Sequence, residues 1–427
     1  MDPAFWLFFA FLVLLFLGIP IAVALGSVAV FMIWHFHLGI PVVSSNFYAG
    51  IAKYPLLAIP FFILAGMILE RCGVSQRLVN LASLLVGSLP GGLAIVAVLV
   101  CVFFGGVSGS GPADAAAMGA VLIPAMARKN YDRDFSAALI AAGGSTAIVV
   151  PPSIAFILYG VITTTSVPAL FAAGVFPGIL AGLSLIVPAY WISKRRGYMG
   201  ERRGTLGEIV KALKEAFWGL AAPLVILGGI YGGIFTATEA AIIAVFYGLF
   251  LGFVVYRSLT LKAFYHILVD AALSSAVVLL IVALAGLYSW AGSTLGVMEK
   301  IAGALLTLSQ NPAVVLILVN VLIFVAGMLL DAISIYYVFL PILLPVMAHF
   351  GWDPLWFGVV MTLNLAIGQF TPPVAVNLYV TTNLAGISLE KASLATLPFI
   401  AAMLLALVLV AVFPALSLWL PRVWGLY

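Results

Sequence analysis

Charge is what this chain has least of. Only 7% of its 427 residues are Asp, Glu, Lys or Arg, against about 25% in soluble domains. Apolar runs near the length that spans a bilayer, about 20 residues, recur from end to end, and the longest hydrophilic stretch is only about Lys194 to Lys214. No soluble domain fits between them. Cysteine is nearly as scarce: Cys72 and Cys101 are too few and too apolar in setting for a disulfide framework or a metal site. The four histidines, His35, His37, His266 and His349, share no metal-ligand spacing. No phosphate loop of the Walker type is present, which excludes ATP hydrolysis by this chain. The net charge of +4 comes mainly from one loop and reads as topology, not as affinity for nucleic acid. The first apolar run begins beside Asp2 and continues to Trp34, too long and wrongly flanked for a signal peptide, so it reads as a retained span.

What the chain does have is an internal repeat. Residues 105–126, GGVSGSGPADAAAMGAVLIPAM, are followed by a charged loop and then GGSTAIVVPPS. Residues 326–347, AGMLLDAISIYYVFLPILLPVM, are followed by a loop and then NLAIGQFTPPV. Gly106 aligns with Gly327, Pro124 with Pro345, Asp132 with Asp353, and Pro151-Pro152 with Pro372-Pro373, always 221 positions apart. Each copy reads as a re-entrant hairpin (92–127 and 312–347) followed by a helix broken at its centre (135–159 and 355–379). Non-helical backbone at membrane depth is tolerated only where protein or a water-filled cavity surrounds it.

The flanking pieces read as a first span over Phe5–Trp34, bent near Gly18–Pro20, arm-like segments at Val74–Leu89 and Gly296–Leu308, and a final span over Ala395–Leu420. The units are a first repeat over 1–192, a cytoplasmic basic loop with linking helices over 193–262, and a second repeat over 263–427. The loop after the first hairpin holds Arg128, Lys129 and Arg133, whereas the matching loop 349–354 has no lysine or arginine and carries aromatics. By the positive-inside rule these loops lie on opposite faces. The fold class is therefore an all-α polytopic membrane protein with inverted repeats. Broken helices meeting at the midplane are a mark of secondary transporters.

Glycine-rich and proline-rich breaks free backbone carbonyls, and serine adds hydroxyl oxygens, which together suit a hard cation such as sodium. The candidate sodium ligands are Ser108, Ser110, Gly143, Ser145, Thr146, Val150, Gly327, Gly368 and Thr371. The plainer reading is a packing kink, since small residues line close helix contacts. The duplication of the pattern favours the ion site. Candidate solute-binding residues are Ser110, Ser153, Glu239, Asp331 and Asn377. Asp331 aligns with Ser110, and the two are expected to face one cavity. A carboxylate at membrane depth costs roughly 2.5–3.5 kcal/mol and so implies a job, though a tip reaching the aqueous surface would also accommodate it. Read as an unpaired charge, Asp331 is expected to be removable without loss of folding. Glu239 is open to a second reading, as the first-turn acid of a helix capped by Thr236 or Thr238. Asp114 reads equally as a helix cap near Pro112.

GGVSGSGPADAAAMGAVLIPAM, GGSTAIVVPPS, GGIYGGIFTATEAAIIAVFYG and GQFTPPVAVNLYVTTNLAG resemble the large membrane subunit of tripartite ATP-independent periplasmic (TRAP) transporters, over essentially the whole chain. The resemblance implies an elevator-type transporter with scaffold and transport domains in a bacterial inner membrane. It implies sodium-coupled import of an organic acid, of the sialic-acid or C4-dicarboxylate type. It also implies two partners, a periplasmic binding protein and a separate small four-helix membrane subunit. No cofactor is expected beyond sodium as coupling ion; the solute and membrane lipid are the other expected partners, and nucleic acid is not one. Two rivals remain at this point. One is a stand-alone ion-coupled carboxylate symporter. The other is an intramembrane serine protease, because Gly106-Val107-Ser108-Gly109 has the GxSG form. That chemistry needs a base within hydrogen-bond reach, and none of the histidines sits in a clear helix centre.

Overall fold

Apolar sequence without water folds into helices, because a helix satisfies its own N–H and C=O groups. The structure, a computed structural model, describes residues 2–200 and 202–427, and all regular elements among them are helical. Among the described residues, seven helices are long and apolar enough to cross a membrane. The first half runs α1 (Pro3–Phe16), α2 (Ile21–His35), α3 (Pro41–Ile51), α4 (Ala58–Arg71) and α5 (Val74–Val86). It continues with the hairpin α6 (Gly92–Ser108) and α7 (Gly111–Arg128), the interrupted pair α8 (Arg133–Ser145) and α9 (Ile154–Thr163), and the long α10 (Val167–Arg196). The second half runs α11 (Leu206–Tyr231), α12 (Ala237–Phe250), α13 (Leu261–Thr294) and α14 (Val297–Leu308). Then come the hairpin α15 (Pro312–Gly327) and α16 (Ala332–Phe350), the interrupted pair α17 (Pro354–Gly368) and α18 (Val376–Ala385), α19 (Leu389–Val412) and α20 (Ala415–Val423).

The repeat survives folding helix by helix. α7 begins at Gly111 and α16 at Ala332, α8 at Arg133 and α17 at Pro354, and each broken helix carries a cis Pro-Pro bond in its gap. Two hydrogen bonds show the inversion. Arg133, beside the base of the first hairpin, donates to the Ala385 carbonyl at the far end of α18 (3.2 Å). Tyr159, in the second half of α9, donates to the Pro354 carbonyl beside the base of the second hairpin (2.8 Å). Each broken helix thus starts at its own hairpin's base and ends at the other's. Cysteine labelling should accordingly reach position 130 from the cytoplasm and position 351 from outside; labelling of both from one side would overturn this topology.

Small residues set the packing. Lipid offers no hydrophobic gain for helix association, so close backbone approach and van der Waals contact carry it. On α10 a Cβ at Gly174 would lie 2.4 Å from the Phe156 ring, and one at Gly182 would lie 2.3 Å from Val102. A matched pair of such contacts joins the halves: Gly26 of α2 abuts Leu284 of α13, and Gly248 of α12 abuts Ile68 of α4. The offset carries α2 onto α12, so α11 and α12 occupy in the second half the place of α1 and α2 in the first.

Three expected boundaries are corrected. Phe5–Trp34 is not one bent span: Gly18 turns left-handed (φ +80°) and the chain reverses, bringing the Trp6 and Phe31 rings to 6.2 Å. The hydrophilic stretch from Lys194 to Lys214 is mostly helix ends, because Thr205 and Glu208 form a reciprocal capping box that starts α11 at Leu206. The last span over Ala395–Leu420 is divided at Phe413–Pro414, where proline cannot continue the helical ladder.

Candidate functional site

Both hairpin tips open onto one cavity of about 520 Å³. It is walled by α4 and α13 on one side and by the two tips and both broken helices on the other. The first tip is shaped by Gly109, whose left-handed backbone (φ +64°) lets α6 stop and α7 start within two residues. A Cβ on Gly109 would lie 2.7 Å from the Pro152 carbonyl oxygen, and Ile154 N–H donates to the Gly109 carbonyl (3.4 Å). The next glycine reaches the other repeat: a Cβ on Gly111 would lie 2.1 Å from Gln369 Oε1 and 3.1 Å from Asn377 Nδ2. The second tip repeats the arrangement. A Cβ on Gly368 would lie 2.6 Å from the Gly327 carbonyl carbon, and the Val374 and Ala375 N–H groups both approach the Met328 carbonyl.

Of the solute candidates, Ser110 and Asp331 line this cavity. Asp331 is half-buried and also caps α16, accepting from Ser334 N–H (3.0 Å) and Ser334 Oγ–H (2.9 Å). It is therefore not an unpaired charge, and removing it costs the hairpin a helix cap. Ser153 stands behind the wall. It is fully buried, its hydroxyl donates to the Ile148 carbonyl and it caps α9. Asn377 is buried too, with Nδ2 directed at Ala141 O and Gln369 Oε1 (3.3 Å each) and Oδ1 without a partner among the described residues. It reaches the cavity through Gln369, which lines it.

Glu239 is the misplaced candidate. Its exposed carboxylate accepts from Thr236 N–H (2.8 Å) and Oγ–H (2.9 Å) in a capping box at the start of α12, and it lines no part of the cavity. The capping reading holds because a Thr-x-x-Glu pattern satisfies two otherwise orphaned groups at a helix start. Glu239→Gln is expected to leave uptake unchanged; a transport defect in a normally folded Glu239→Gln protein would restore the residue to the pathway.

The sodium candidates divide likewise. Ser108 and Ser110 lie at the tip, and Gly327, Gly368 and Thr371 gather around the second tip, with Thr371 Oγ–H donating to the Ile367 carbonyl (2.6 Å). Thr146 Oγ–H donates to the Gly143 carbonyl (2.7 Å), and Val150 sits between Gly106 of α6 and Gly178 of α10. Ser145 points elsewhere: its hydroxyl donates to Ala142 O (2.7 Å) and faces Met403 of α19 rather than the tip. A serine in a helix commonly returns its proton to a carbonyl one turn back, so its direction was not fixed by the motif.

Asp114 is the residue the sequence reading undervalued. It does not cap α7, since Ser110 holds that position. Its carboxyl is fully buried, takes a hydrogen bond from Ser108 Oγ–H and keeps Oδ2 without a partner among the described residues, at the cavity wall. The available signal was an acid six residues beyond Ser108, alone within an apolar hairpin. Glu70 of α4 lines the cavity as well. Glu70, Asp114 and Asp331 therefore face a cavity with no lysine, arginine or histidine among its described lining residues. Ser108 is bonded to the Asp114 carboxyl, and no histidine lies near it among the cavity's described lining residues.

This architecture has relatives. The family described as "Tripartite ATP-independent periplasmic transporter, DctM component" matches residues 8–416. The isethionate TRAP transporter permease protein DctMQ of Oleidesulfovibrio alaskensis is 42% identical over 98% of this chain, which spans 66% of that protein. The sialic acid TRAP transporter large permease protein SiaM of Vibrio cholerae is 39% identical over 97% of each chain. The C4-dicarboxylate permease DctM of Rhodobacter capsulatus is 36% identical over 97% of each. Among solved structures, the YdaH transporter of Alcanivorax borkumensis, described as having an unusual topology, superposes with a TM-score of 0.61. It covers 87% of both chains at 15% identity, a likeness of fold. With family, fold and a cavity between paired hairpins in agreement, the chain belongs to the DctM component of the tripartite ATP-independent periplasmic transporters, a multi-pass transporter permease and not an enzyme.

Proposed function

We propose that this permease imports an organic acid together with sodium ions through the cavity between its hairpin tips. The observation that carries the reading is the cavity's charge. Among its described lining residues are three carboxyls and no basic side chain, so an anionic solute enters only with cations that offset the repulsion between like charges. Carbonyls released at the two Pro-Pro breaks, with the hydroxyls of Ser108, Ser110 and Thr371, supply the oxygens that hard cations take. The solute of choice is a hydroxyl-rich sugar acid of the sialic-acid type. It brings one negative charge and many donors to carboxylate acceptors, whereas a C4-dicarboxylate brings two charges to the same wall.

In this reading a soluble periplasmic binding protein delivers the solute and a small four-helix membrane subunit completes the complex in the bacterial inner membrane. The hairpins and broken helices move as a transport domain against a scaffold of the remaining helices, in the elevator manner. The test is uptake in liposomes containing the permease and its small subunit, with candidate binding proteins, with and without an inward sodium gradient. Uptake that follows the gradient and requires a sialic-acid binding protein is expected. Indifference to sodium would overturn the coupling, and full uptake without any binding protein would return the stand-alone symporter.

A further inference from the structure

A second cavity, of about 770 Å³, lies at the base of the first hairpin. Arg71 ends α4, Arg77 stands on α5, and Arg128 and Lys129 close α7; all four line it, with Glu215 of α11 the one acid among the described lining residues. One arginine is committed to structure. Arg77 donates to the carbonyls of Cys72 and Gly73 (2.9 Å each) and lies 3.8 Å over the Tyr256 ring. Arg71 and Arg128 are held by no hydrogen bond or ion pair to the described residues, and both are exposed to the cavity. A cation in a helix's last turn is partly explained by the helix dipole. That accounts for each arginine separately. It does not account for two guanidinium groups, on different helices and without a hydrogen bond or ion pair to the described residues, converging on one opening whose other polar walls include Gln76, Asn80 and Ser83.

The cavity is also placed for one kind of ligand. It sits at the same end as the cation-rich loop 128–133, the cytoplasmic face by the positive-inside rule, at the level where the chain meets lipid headgroups. Basic pockets between membrane helices on that face receive acidic headgroups. Guanidinium forks match pairs of phosphate oxygens better than an ammonium does. Val79, Leu93 and Ala125 supply an apolar wall beside the cations. We propose that this basic cavity binds a phosphate-bearing anion, the headgroup of an acidic phospholipid of the cytoplasmic leaflet, between Arg71 and Arg128. An occupied site bridges α4 and α5 to α7, joining the first hairpin to helices outside it.

The experiment is thermal unfolding of the purified full-length permease titrated with dioctanoyl phosphatidylglycerol, dioctanoyl phosphatidylcholine, inorganic phosphate and acetate. Phosphatidylglycerol should give a saturable rise in Tm that phosphatidylcholine and acetate do not. The double variant Arg71→Gln with Arg128→Gln should weaken the apparent affinity by at least about tenfold, the loss of one charged contact. The charge-keeping pair Arg71→Lys with Arg128→Lys, which preserves folding if the glutamines do not, should weaken it severalfold. Asp331→Asn, in the other cavity, should leave the response unchanged. Saturation by inorganic phosphate at the same concentrations would support the same site with a free anion as occupant. An unchanged response in both double variants, or equal stabilisation by phosphatidylcholine or acetate, would overturn the proposal.

Discussion

Asp331→Asn should lower uptake about tenfold to a hundredfold, the loss expected from a charged contact contributing about 1.5–3 kcal/mol, while leaving the melting temperature almost unchanged. Asparagine and aspartate are near-equal helix caps, so the substitution keeps the acceptor for Ser334 N–H, replaces the bond accepted from Ser334 Oγ–H by one the amide donates to Ser334 Oγ, and removes the charge facing the cavity. Asp331→Ala is a poorer probe. It removes cap and charge together, and the lost cap alone costs about 0.5–2 kcal/mol. Uptake and thermal unfolding measured on both variants separate the roles. Near-normal transport by Asp331→Asn would reduce Asp331 to a cap and withdraw it from the solute or coupling-ion site.

The second large effect is expected at the glycines where hairpin meets broken helix. Gly109→Ala forces a left-handed residue to carry a Cβ, costing about 1–2 kcal/mol. It also places that carbon 2.7 Å from the Pro152 carbonyl oxygen, where only backbone movement relieves it. Gly368→Ala meets the Gly327 backbone at 2.6 Å and adds an overpacking cost of about 1–3 kcal/mol. Gly351→Ala is the control: its φ is +63°, but nothing lies within 4 Å, so only the conformational cost applies. Uptake should fall to near background for Gly109→Ala and Gly368→Ala and survive in Gly351→Ala. Equal transport by all three would show that the tip contacts are not part of the working structure.

The hairpins and interruptions were legible because glycine and proline act locally. Ser108-Gly109-Ser110-Gly111-Pro112 ends one helix and starts the next whatever surrounds it, and Pro151-Pro152 removes two donors from the ladder in any context. The reversal between α1 and α2 was not legible in the same way. Gly18 and Pro20 permit a bend or a full turn, and the contact of Trp6 with Phe31 decides for the turn. Thr205-x-x-Glu208 and Thr236-x-x-Glu239 both carried a capping pattern. The first lies in a hydrophilic stretch, where any loop carries such residues, and the second sits in an apolar one, where a lone acid also fits a functional role.

By itself the sequence determined that the chain spans a membrane many times, that it contains two copies of one unit, and that the copies face opposite ways. These follow from run lengths, a constant offset and the distribution of lysine and arginine, quantities that need no third dimension. Only the tertiary structure decided which acids look inward. Asp114 and Glu239 are both lone carboxylates in apolar stretches next to hydroxyl residues. One turns across a hairpin tip onto Ser108, while the other closes a cap at an exposed helix start. A membrane helix that is apolar on every side gives no amphipathic signal for its rotation about its own axis. That rotation is set by where small residues admit neighbouring helices, and it decides whether a side chain meets lipid, protein or the cavity.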